Sequence, residues 1–73
     1  MEPLPISNPA NLSTREIEVV KYLCKECTSK EIADKLFISP KTVGCHRENI
    51  MRKIGALSVI GIVIYAIKNN LFE

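Results

Sequence analysis

The sequence predicts a small all-α domain of four helices that includes a helix-turn-helix. Helix-start patterns recur three times between residues 12 and 43, and apolar residues then follow at intervals of three and four. A further apolar segment near the C-terminus is predicted to form the fourth helix. With 73 residues, 47% of them hydrophobic and 25% charged, the chain is long enough for one domain with one modest core.

Three helix starts are marked by residues that satisfy free backbone N–H groups. Ser13 with Glu16, and Thr28 with Glu31, have the spacing of a capping box, in which each side chain accepts a hydrogen bond from the other residue's N–H. Ser39 is followed by a proline, whose missing N–H costs nothing at the first helical position. We therefore predict helices that begin near residues 14, 29 and 40.

The apolar positions within these helices predict which faces form the core. Within each predicted helix the apolar residues recur every three or four positions. The predicted inward residues are Ile17, Val20, Leu23 and Cys24 in the first helix, Ile32, Ala33 and Leu36 in the second, and Val43, His46, Ile50 and Ile54 in the third. Gly55 is expected to end the third helix in the left-handed conformation.

The segment SVIGIVIYAIKNN is rich in β-branched residues, which by propensity favours a strand. A single strand would have no pairing partner in a domain of three helices, so we predict a helix from about Val59 to Asn69. Because this helix is apolar on nearly every face, it must be covered. We expect Val63, Ala66 and Ile67 to face the core, Leu71 and Phe72 to pack after them, and Val59, Ile60 and Ile64 to form an exposed patch.

Residues 1–11 contain three of the four prolines and show no helical periodicity. This composition is typical of an extended tail, or of a linker from an upstream domain, and both interpretations stay open. We assign residues 12–73 to the folded domain and expect NLFE to be a true C-terminus.

The charges are distributed unevenly along the chain. The net charge is only +2, but residues 1–38 have five Lys/Arg and six Asp/Glu, whereas residues 39–73 have five and two. Such a concentration of positive charge suits a phosphate-facing surface. The N-terminus resembles no secretion signal, and the longest apolar run has nine residues, against about 20 for a membrane span. We expect a cytoplasmic protein without a membrane partner.

The sequence contains three cysteines and one histidine. Cys24 and Cys27 have zinc-site spacing, but Cys45 and His46 are adjacent on a predicted helix, where side chains point about 100° apart. We therefore expect free thiols, no metal and no cofactor. Because His46 has no partner spaced for catalysis, we expect no enzyme activity. His46 is either a packed histidine or, when protonated, a phosphate contact.

The second and third predicted helices, with residues 37–39 between them, have the spacing of a helix-turn-helix over residues 28–47. In that motif the second helix enters the major groove of DNA, and helix N-termini also attract phosphate. The candidate DNA-binding residues are therefore the outward and helix-start residues: Ser29, Lys30, Ser39, Lys41, Thr42, Gly44, Cys45, Arg47, Glu48, Arg52 and Lys53. On spacing alone, a helical bundle without DNA contact is an equal alternative.

A longer series of motifs resembles one family. LSTREIEVV, TSKEIADKLFISPKTVGCHRENIMRKIGA and YAIKNNL are similar to the LuxR/FixJ-type (GerE-like) DNA-binding domain of bacterial transcription regulators, from about Leu12 to Phe72. The resemblance implies a tetrahelical fold, a recognition helix in the major groove, and dimerisation through the fourth helix on two half-sites. It also implies base contacts at Gly44, Cys45 and Glu48, and phosphate contacts at Lys30, Lys41, Thr42 and Arg47.

The chain departs from the family pattern at Gly44, at Glu48 and in its apolar fourth helix. Relatives often have lysine or another polar residue at the position of Gly44 and a basic or polar residue at that of Glu48. Gly44 costs roughly 1 kcal/mol of helix stability relative to alanine, but it allows close backbone approach. The fourth helix favours a homodimer contact, with docking of an upstream receiver as the competing interpretation. The predicted dimer residues are Val59, Ile60, Val63, Ile64 and Ile67.

These observations predict a dimeric, sequence-specific DNA-binding transcription regulator, or the C-terminal effector domain of a response regulator. Duplex DNA is the expected partner, with RNA polymerase and an upstream receiver or sensor domain as further partners. Two alternatives stay open. One is a module that resembles sigma-factor region four and works as one copy, and the other is a helix-turn-helix fold used for protein interaction.

Overall fold

The computed structural model describes residues 10–71, and they form the predicted all-α architecture. The helices are α1 (Thr14–Cys24), α2 (Ser29–Leu36), α3 (Pro40–Ile54) and α4 (Val59–Lys68). Residues 10–71 contain no strand. The predicted starts near residues 14, 29 and 40 are confirmed. Our predictions for residues 1–9 and for Phe72 and Glu73 lie outside the described residues.

Hydrogen bonds at the helix N-termini explain why the helices start where they do. Ser13 Oγ accepts from the Glu16 N–H at 3.1 Å, and the Ser13 N–H donates to Glu16 Oε1 at 2.8 Å. Thr28 and Glu31 make the same reciprocal pair at 3.2 and 2.8 Å. Ser39 caps α3 by accepting from the third helical N–H at 3.1 Å. Both capping boxes and the serine cap are thus confirmed.

The turn between α2 and α3 is as short as predicted. Phe37 ends α2 in the left-handed conformation with φ 58°, which a residue with a side chain rarely adopts. The Ile38 N–H donates to the Ala33 carbonyl at 3.0 Å and closes the end of α2. α3 in turn ends at Gly55 with φ 73°, as predicted. The end of α2 at Phe37 and the cap of α3 at Ser39 hold the two helices at the spacing of a helix-turn-helix.

The core lies where α1 packs against α3 and α4, with α2 packed against α3. The predicted inward positions of α2 are buried, and Val43 and Ile50 anchor α3. α1 differs slightly from the prediction, because Val19 is fully buried whereas Ile17 and Cys24 are half-buried against the core. The buried apolar residues are Leu12, Val19, Val20, Leu23, Ile32, Ala33, Leu36, Val43, Ile50, Ile62, Ala66 and Leu71.

The predicted inward face of α4 is partly wrong. Ile67 was expected to face the core but is 59% exposed, and Val63 is only half-buried. Ile62 and Ala66, one turn apart, are instead fully buried. The physical reason is that a helix with apolar residues on nearly every side has no periodic signal that distinguishes its inner face. Of the expected exposed patch, Ile60 and Ile64 are exposed as predicted, whereas Val59 is half-buried against the core.

α3 and α4 meet at an angle of 60° across a short linker. Within residues 10–71 neither helix alone is long and apolar enough to cross a membrane, although the bent pair would qualify by length and composition. The approach of α4 to the linker is close: a Cβ placed on Gly61 would lie 2.7 Å from Ala56 Cβ. Such a distance is shorter than real carbon contacts, so this crossing requires glycine at position 61.

Replacing Gly61 with alanine should lower the free energy of unfolding by about 1–3 kcal/mol, because the added methyl group overpacks the linker against α4. The matched control is Gly44→Ala in α3, where an added Cβ meets no atom within 4 Å. That substitution should raise stability by up to about 1 kcal/mol through helix propensity. Urea denaturation of the two variants measures both effects, and equal shifts of the same sign would contradict the packing at Ala56.

Candidate nucleic-acid interface

One exposed stripe runs along α3, opposite the side chains that anchor this helix in the core. Val43 and Ile50 are buried, so the residues on the opposite side of the helix point into solvent. The residues of this stripe follow one another at intervals of four, three and four, which places them on one face, and all are exposed: Lys41, Cys45, Glu48 and Arg52. The structure thus brings together four of the predicted DNA-binding residues.

Gly44 lies beside this stripe and makes part of the α3 surface flat. A Cβ built at this position would have no heavy atom within 4 Å, so nothing inside the domain requires glycine there. Backbone atoms at Gly44 are therefore open to an approaching partner in a way that a longer side chain would prevent.

The N-termini of α2 and α3 carry two lysines that are free to bind anions. Lys30 and Lys41 are exposed, and within residues 10–71 neither forms an ion pair. Each lies in the first turn of its helix, where unpaired N–H groups and the helix dipole favour negative charge. Ser29, also in the first turn of α2, is half-buried.

The hydroxyl groups at the start of α3 are engaged within the helix cap. One hydrogen bond of 2.9 Å joins Ser39 Oγ to Thr42 Oγ1, and Ser39 Oγ also accepts from the Thr42 N–H. Both residues are exposed, but their geometry is fixed by capping. A hydroxyl can still accept or donate a second hydrogen bond, so the predicted phosphate contact at Thr42 is compatible with the cap.

The two arginines of α3 differ in their surroundings. Arg52 is exposed, and its Nη2 donates a hydrogen bond to Asn49 Oδ1 on the same helix. Arg47 is half-buried, and its Nε is a buried atom that makes no hydrogen bond with the described part of the chain. A buried N–H without a partner costs about 1–3 kcal/mol. The Arg47 side chain would therefore gain from a rearrangement that brings Nε to an acceptor.

Lys53, which we predicted to flank the DNA-facing side, is held on α1. Its Nζ lies 2.7 Å from Glu16 Oε1, and the Glu16 side chain is only 5% exposed. Burial alone would raise the pKa of Glu16, but hydrogen bonds from Lys53 and Ser13 outweigh it and lower that pKa below the ordinary value of 4.5. This ion pair joins the last turn of α3 to the first turn of α1. Contact between Lys53 and DNA stays a prediction.

The three cysteines are free thiols. Cys45 is exposed on α3, whereas Cys24 and Cys27 are half-buried near the end of α1. Burial raises the pKa of the Cys24 thiol. In residues 10–71 no group of three or more His, Cys, Asp or Glu side chains is placed to hold a metal ion. His46 is half-buried, so both the packed role and the phosphate-contact role stay predictions.

A second exposed surface, the α4 stripe, consists of Leu57, Ile60, Ile64 and Ile67. Their exposed fractions are 101%, 72%, 48% and 59%, respectively. Leu57 lies in the linker just before α4, and the intervals of four and three residues place Ile60, Ile64 and Ile67 along one line of the helix. Single apolar side chains at the surface are common, whereas a continuous row is not. Of the predicted dimer residues, Val59 and Val63 are half-buried beside the stripe. Our sequence reasoning did not assign Leu57 to this surface.

A family model and a curated relative both match most of this chain. A model of the luxR family of bacterial regulatory proteins (GerE) matches residues 10–66. The oxygen regulatory protein NreC of Staphylococcus aureus strain JH9 is 47% identical over 62 residues, which are 85% of this chain and 29% of NreC. This chain therefore spans less than a third of the length of that relative.

Two solved structures show the same fold. The response regulator ChrA of a heme-sensing two-component system superposes with a TM-score of 0.79 at 31% identity, over 96% of this chain and 32% of ChrA. The transcription factor GerE superposes with a TM-score of 0.78 at 28% identity, over 82% of this chain and 90% of GerE. The order of the four helices is thus that of an established fold.

Glu16→Gln should lower the free energy of unfolding by about 1 kcal/mol at neutral pH, because glutamine keeps the capping hydrogen bond but loses the charge that Lys53 pairs with. The pKa of Glu16 is lowered in the folded state, so this stabilisation is complete above pH 4.5 and is lost as the pH falls below it. Urea denaturation of wild type and variant at neutral and at acidic pH should therefore show a difference that shrinks with acid.

The matched control for this charge effect is Glu18→Gln, at a half-buried position where the carboxylate meets Arg15 at 3.5 Å on the surface of α1. This substitution should have little effect at either pH, since surface ion pairs contribute about 0–1 kcal/mol. A Glu16 variant that behaves like the Glu18 variant would contradict the tertiary role of the Glu16–Lys53 pair.

Proposed function

The chain belongs to the luxR family of bacterial regulatory proteins, and on that premise we propose that it reads duplex DNA sequence-specifically as part of a transcription regulator. The observation that carries this proposal is the exposed stripe of α3, which directly follows the short turn from α2. An α-helix with its side chains is about 10–12 Å wide, and the major groove is about 12 Å wide. α3 therefore fits the groove with its stripe towards the bases.

Three residues of α3 are placed to read base edges. Cys45 is small and weakly polar, so it suits contact with the methyl group of thymine. Glu48 can accept a hydrogen bond from the amino group of cytosine. Its negative charge also repels a phosphate group if the helix binds in the wrong register. Gly44 adds no side chain and lets the backbone of α3 lie close to the groove floor. These three positions carry the sequence preference.

The remaining polar residues of the two helices position the protein on the DNA backbone. Lys30 and Ser29 at the start of α2, and Lys41 and Thr42 at the start of α3, form two phosphate contacts at helix N-termini. Arg47 is a third phosphate contact, because a phosphate oxygen would accept a hydrogen bond from its buried Nε after the side chain rearranges. Arg52 and Lys53 add positive charge farther along α3, and Lys53 contributes mainly by holding α3 on α1.

We further propose that the domain self-associates through the α4 stripe. Ile60, Ile64 and Ile67 present apolar surface that a second copy can bury, with Val59 and Val63 at the edge of the contact. A two-fold dimer places two recognition helices on two half-sites of a symmetric operator. The dimer therefore accounts for apolar residues that the fold of one copy leaves in water.

The relatives indicate the setting of this domain. ChrA is a response regulator, and NreC is an oxygen regulatory protein; this chain corresponds to about a third of each. We infer that the chain is the DNA-binding effector domain of a cytoplasmic response regulator, with an upstream receiver and RNA polymerase as further partners. Neither a cofactor nor enzyme activity is needed for this role.

Alanine substitution of Lys30 or Lys41 should weaken DNA binding about equally on all sequences and lower the slope of log affinity against log salt by about one unit each, because each removes one phosphate contact. The control is Lys68→Ala, in the last turn of α4 and away from both helix N-termini. Fluorescence anisotropy at several salt concentrations measures the slopes. Equal slopes for wild type and both variants would contradict phosphate contacts at Lys30 and Lys41.

Ile60→Glu and Ile64→Glu should shift the protein from dimer to monomer, since each places a charge in the apolar contact. Phe37→Glu is the matched control, because Phe37 is 94% exposed but lies outside α4. Sedimentation velocity of the three variants, with circular dichroism to verify folding, decides the point. A dimer that survives both α4 substitutions would place self-association elsewhere.

A further inference from the structure

The C-terminal ends of α1 and α2 meet at one aromatic ring. Tyr22 lies in the last turn of α1, Lys25 is the C-cap of the same helix, and Lys35 lies in the last turn of α2. The Nζ atoms of Lys25 and Lys35 each lie 5.8 Å from the centroid of the Tyr22 ring. We call these three residues, together with Phe37 at the end of α2, the Tyr22 patch.

The two ammonium groups of the patch are not neutralised by the described part of the chain. Lys25 and Lys35 are exposed, and neither forms an ion pair with a carboxylate of residues 10–71. Glu31, one turn before Lys35, turns its carboxylate to the Thr28 N–H at 2.8 Å. The helix dipole accounts for a lysine in a last turn, but not for two lysines on one ring. Because the ring attracts cations without carrying a net charge, the two like charges stay close together without a counter-charge.

Phe37 adds an apolar side chain that the fold leaves in water. It is 94% exposed and follows Lys35 by two residues. Its backbone adopts φ 58°, which is uncommon for a bulky residue and which glycine would adopt without strain. Stability therefore favours glycine at this position. An exposed phenylalanine held in a strained conformation is instead typical of a residue with a binding role.

The patch is separate from the phosphate contact proposed at the start of α2. Lys30 and Lys35 are five residues apart on this helix, which corresponds to roughly 140° of rotation and about 7.5 Å of rise. The side chain of Lys35 is directed to α1, where it meets Tyr22. The patch also shares no residue with the exposed stripe of α3 or with the α4 stripe, so it differs from both surfaces proposed above.

We propose that the Tyr22 patch docks an acidic segment of a partner protein that also carries an apolar side chain. Carboxylates of that segment meet Lys25 and Lys35, whose charges have no counter-charge within residues 10–71. The apolar side chain of the segment packs on the exposed ring of Phe37. Charge complementarity and an exposed aromatic anchor together select such a segment over a purely polar anion.

Proton NMR can follow this docking, because the chain has two tyrosines and only Tyr22 belongs to the patch. The probe is a synthetic peptide in which glutamates flank a leucine, and its control is the same peptide with glutamine in place of each glutamate. At low salt the acidic peptide should shift the ring signals of Tyr22 and leave those of Tyr65 on α4 unchanged, whereas the glutamine peptide should shift neither. Unchanged Tyr22 signals, or equal shifts at both rings, would overturn the proposal.

Two double variants show whether the lysines of the patch hold the peptide. Lys25→Gln combined with Lys35→Gln should weaken the affinity for the acidic peptide about tenfold, since two charge-assisted contacts are lost. Arg15→Gln combined with Lys68→Gln removes the same charge from the first turn of α1 and the last turn of α4, and should retain the wild-type affinity. Equal losses in the two double variants would show that the peptide responds only to overall charge, which contradicts a local patch.

Phe37→Gly tests the apolar half of the docking surface. The variant should unfold at a higher urea concentration than the wild type, because glycine suits the φ of 58° at the end of α2. It should nevertheless bind the acidic peptide more weakly, because the leucine loses the ring on which it packs. Wild-type affinity in this variant would contradict the contact with Phe37.

Duplex DNA of random sequence, added in place of the peptide, distinguishes protein carboxylates from DNA phosphates as the anion of the patch. DNA bound at the N-termini of α2 and α3 should leave the Tyr22 ring signals unchanged. Shifts at Tyr22 that match those caused by the peptide would assign the patch to phosphate and overturn a protein partner. This outcome leaves the proposed DNA reading by α3 intact, so the two proposals fail independently.

Discussion

The relative placement of α1 and α3 depends on the ion pair between the buried carboxylate of Glu16 and Lys53. Glu16 Oε1 accepts from the Ser13 N–H at 2.8 Å and from Lys53 Nζ at 2.7 Å, so one atom both starts α1 and holds the end of α3. A charge that is only 5% exposed is costly unless it is paired, and this pairing requires α3 to cross α1 at one place. Together with the burial of Val43 and Ile50, that crossing determines which side of α3 is exposed.

Local hydrogen bonding made most of the fold predictable from sequence. The caps at Ser13, Thr28 and Ser39, the turn at residues 37–39 and the end of α3 at Gly55 each depend on a few neighbouring residues, and the structure confirms all of them. The family model and the superposition on GerE confirm the LuxR-type fold. This fold could be predicted because the family motifs coincide with the caps and with the apolar positions between them.

The features that were not predicted depend on residues far apart in the chain, or on α4, whose apolar residues lie on nearly every face. Glu16 and Lys53 are 37 positions apart, and the capping box already accounted for Glu16, so nothing local indicated a second partner. Gly61 belonged to a segment whose residue types favour a strand, and only the structure shows that it makes room for Ala56. In α4 the choice between Ile62 and Ile67 as the buried residue was decided by packing alone. The base and phosphate contacts on α2 and α3 stay predictions, because residue type and exposure define a surface but not its bound partner.

The central claim is that this domain reads a symmetric DNA site as a dimer. The most direct test is to bind the protein to pooled genomic DNA fragments at several salt concentrations and to sequence what is retained. We expect retention that falls steeply with salt, since phosphate contacts supply much of the affinity, and enrichment of a motif with two-fold symmetry. Retention without any motif would contradict base reading by Gly44, Cys45 and Glu48, and no retention even at low salt would contradict DNA binding altogether.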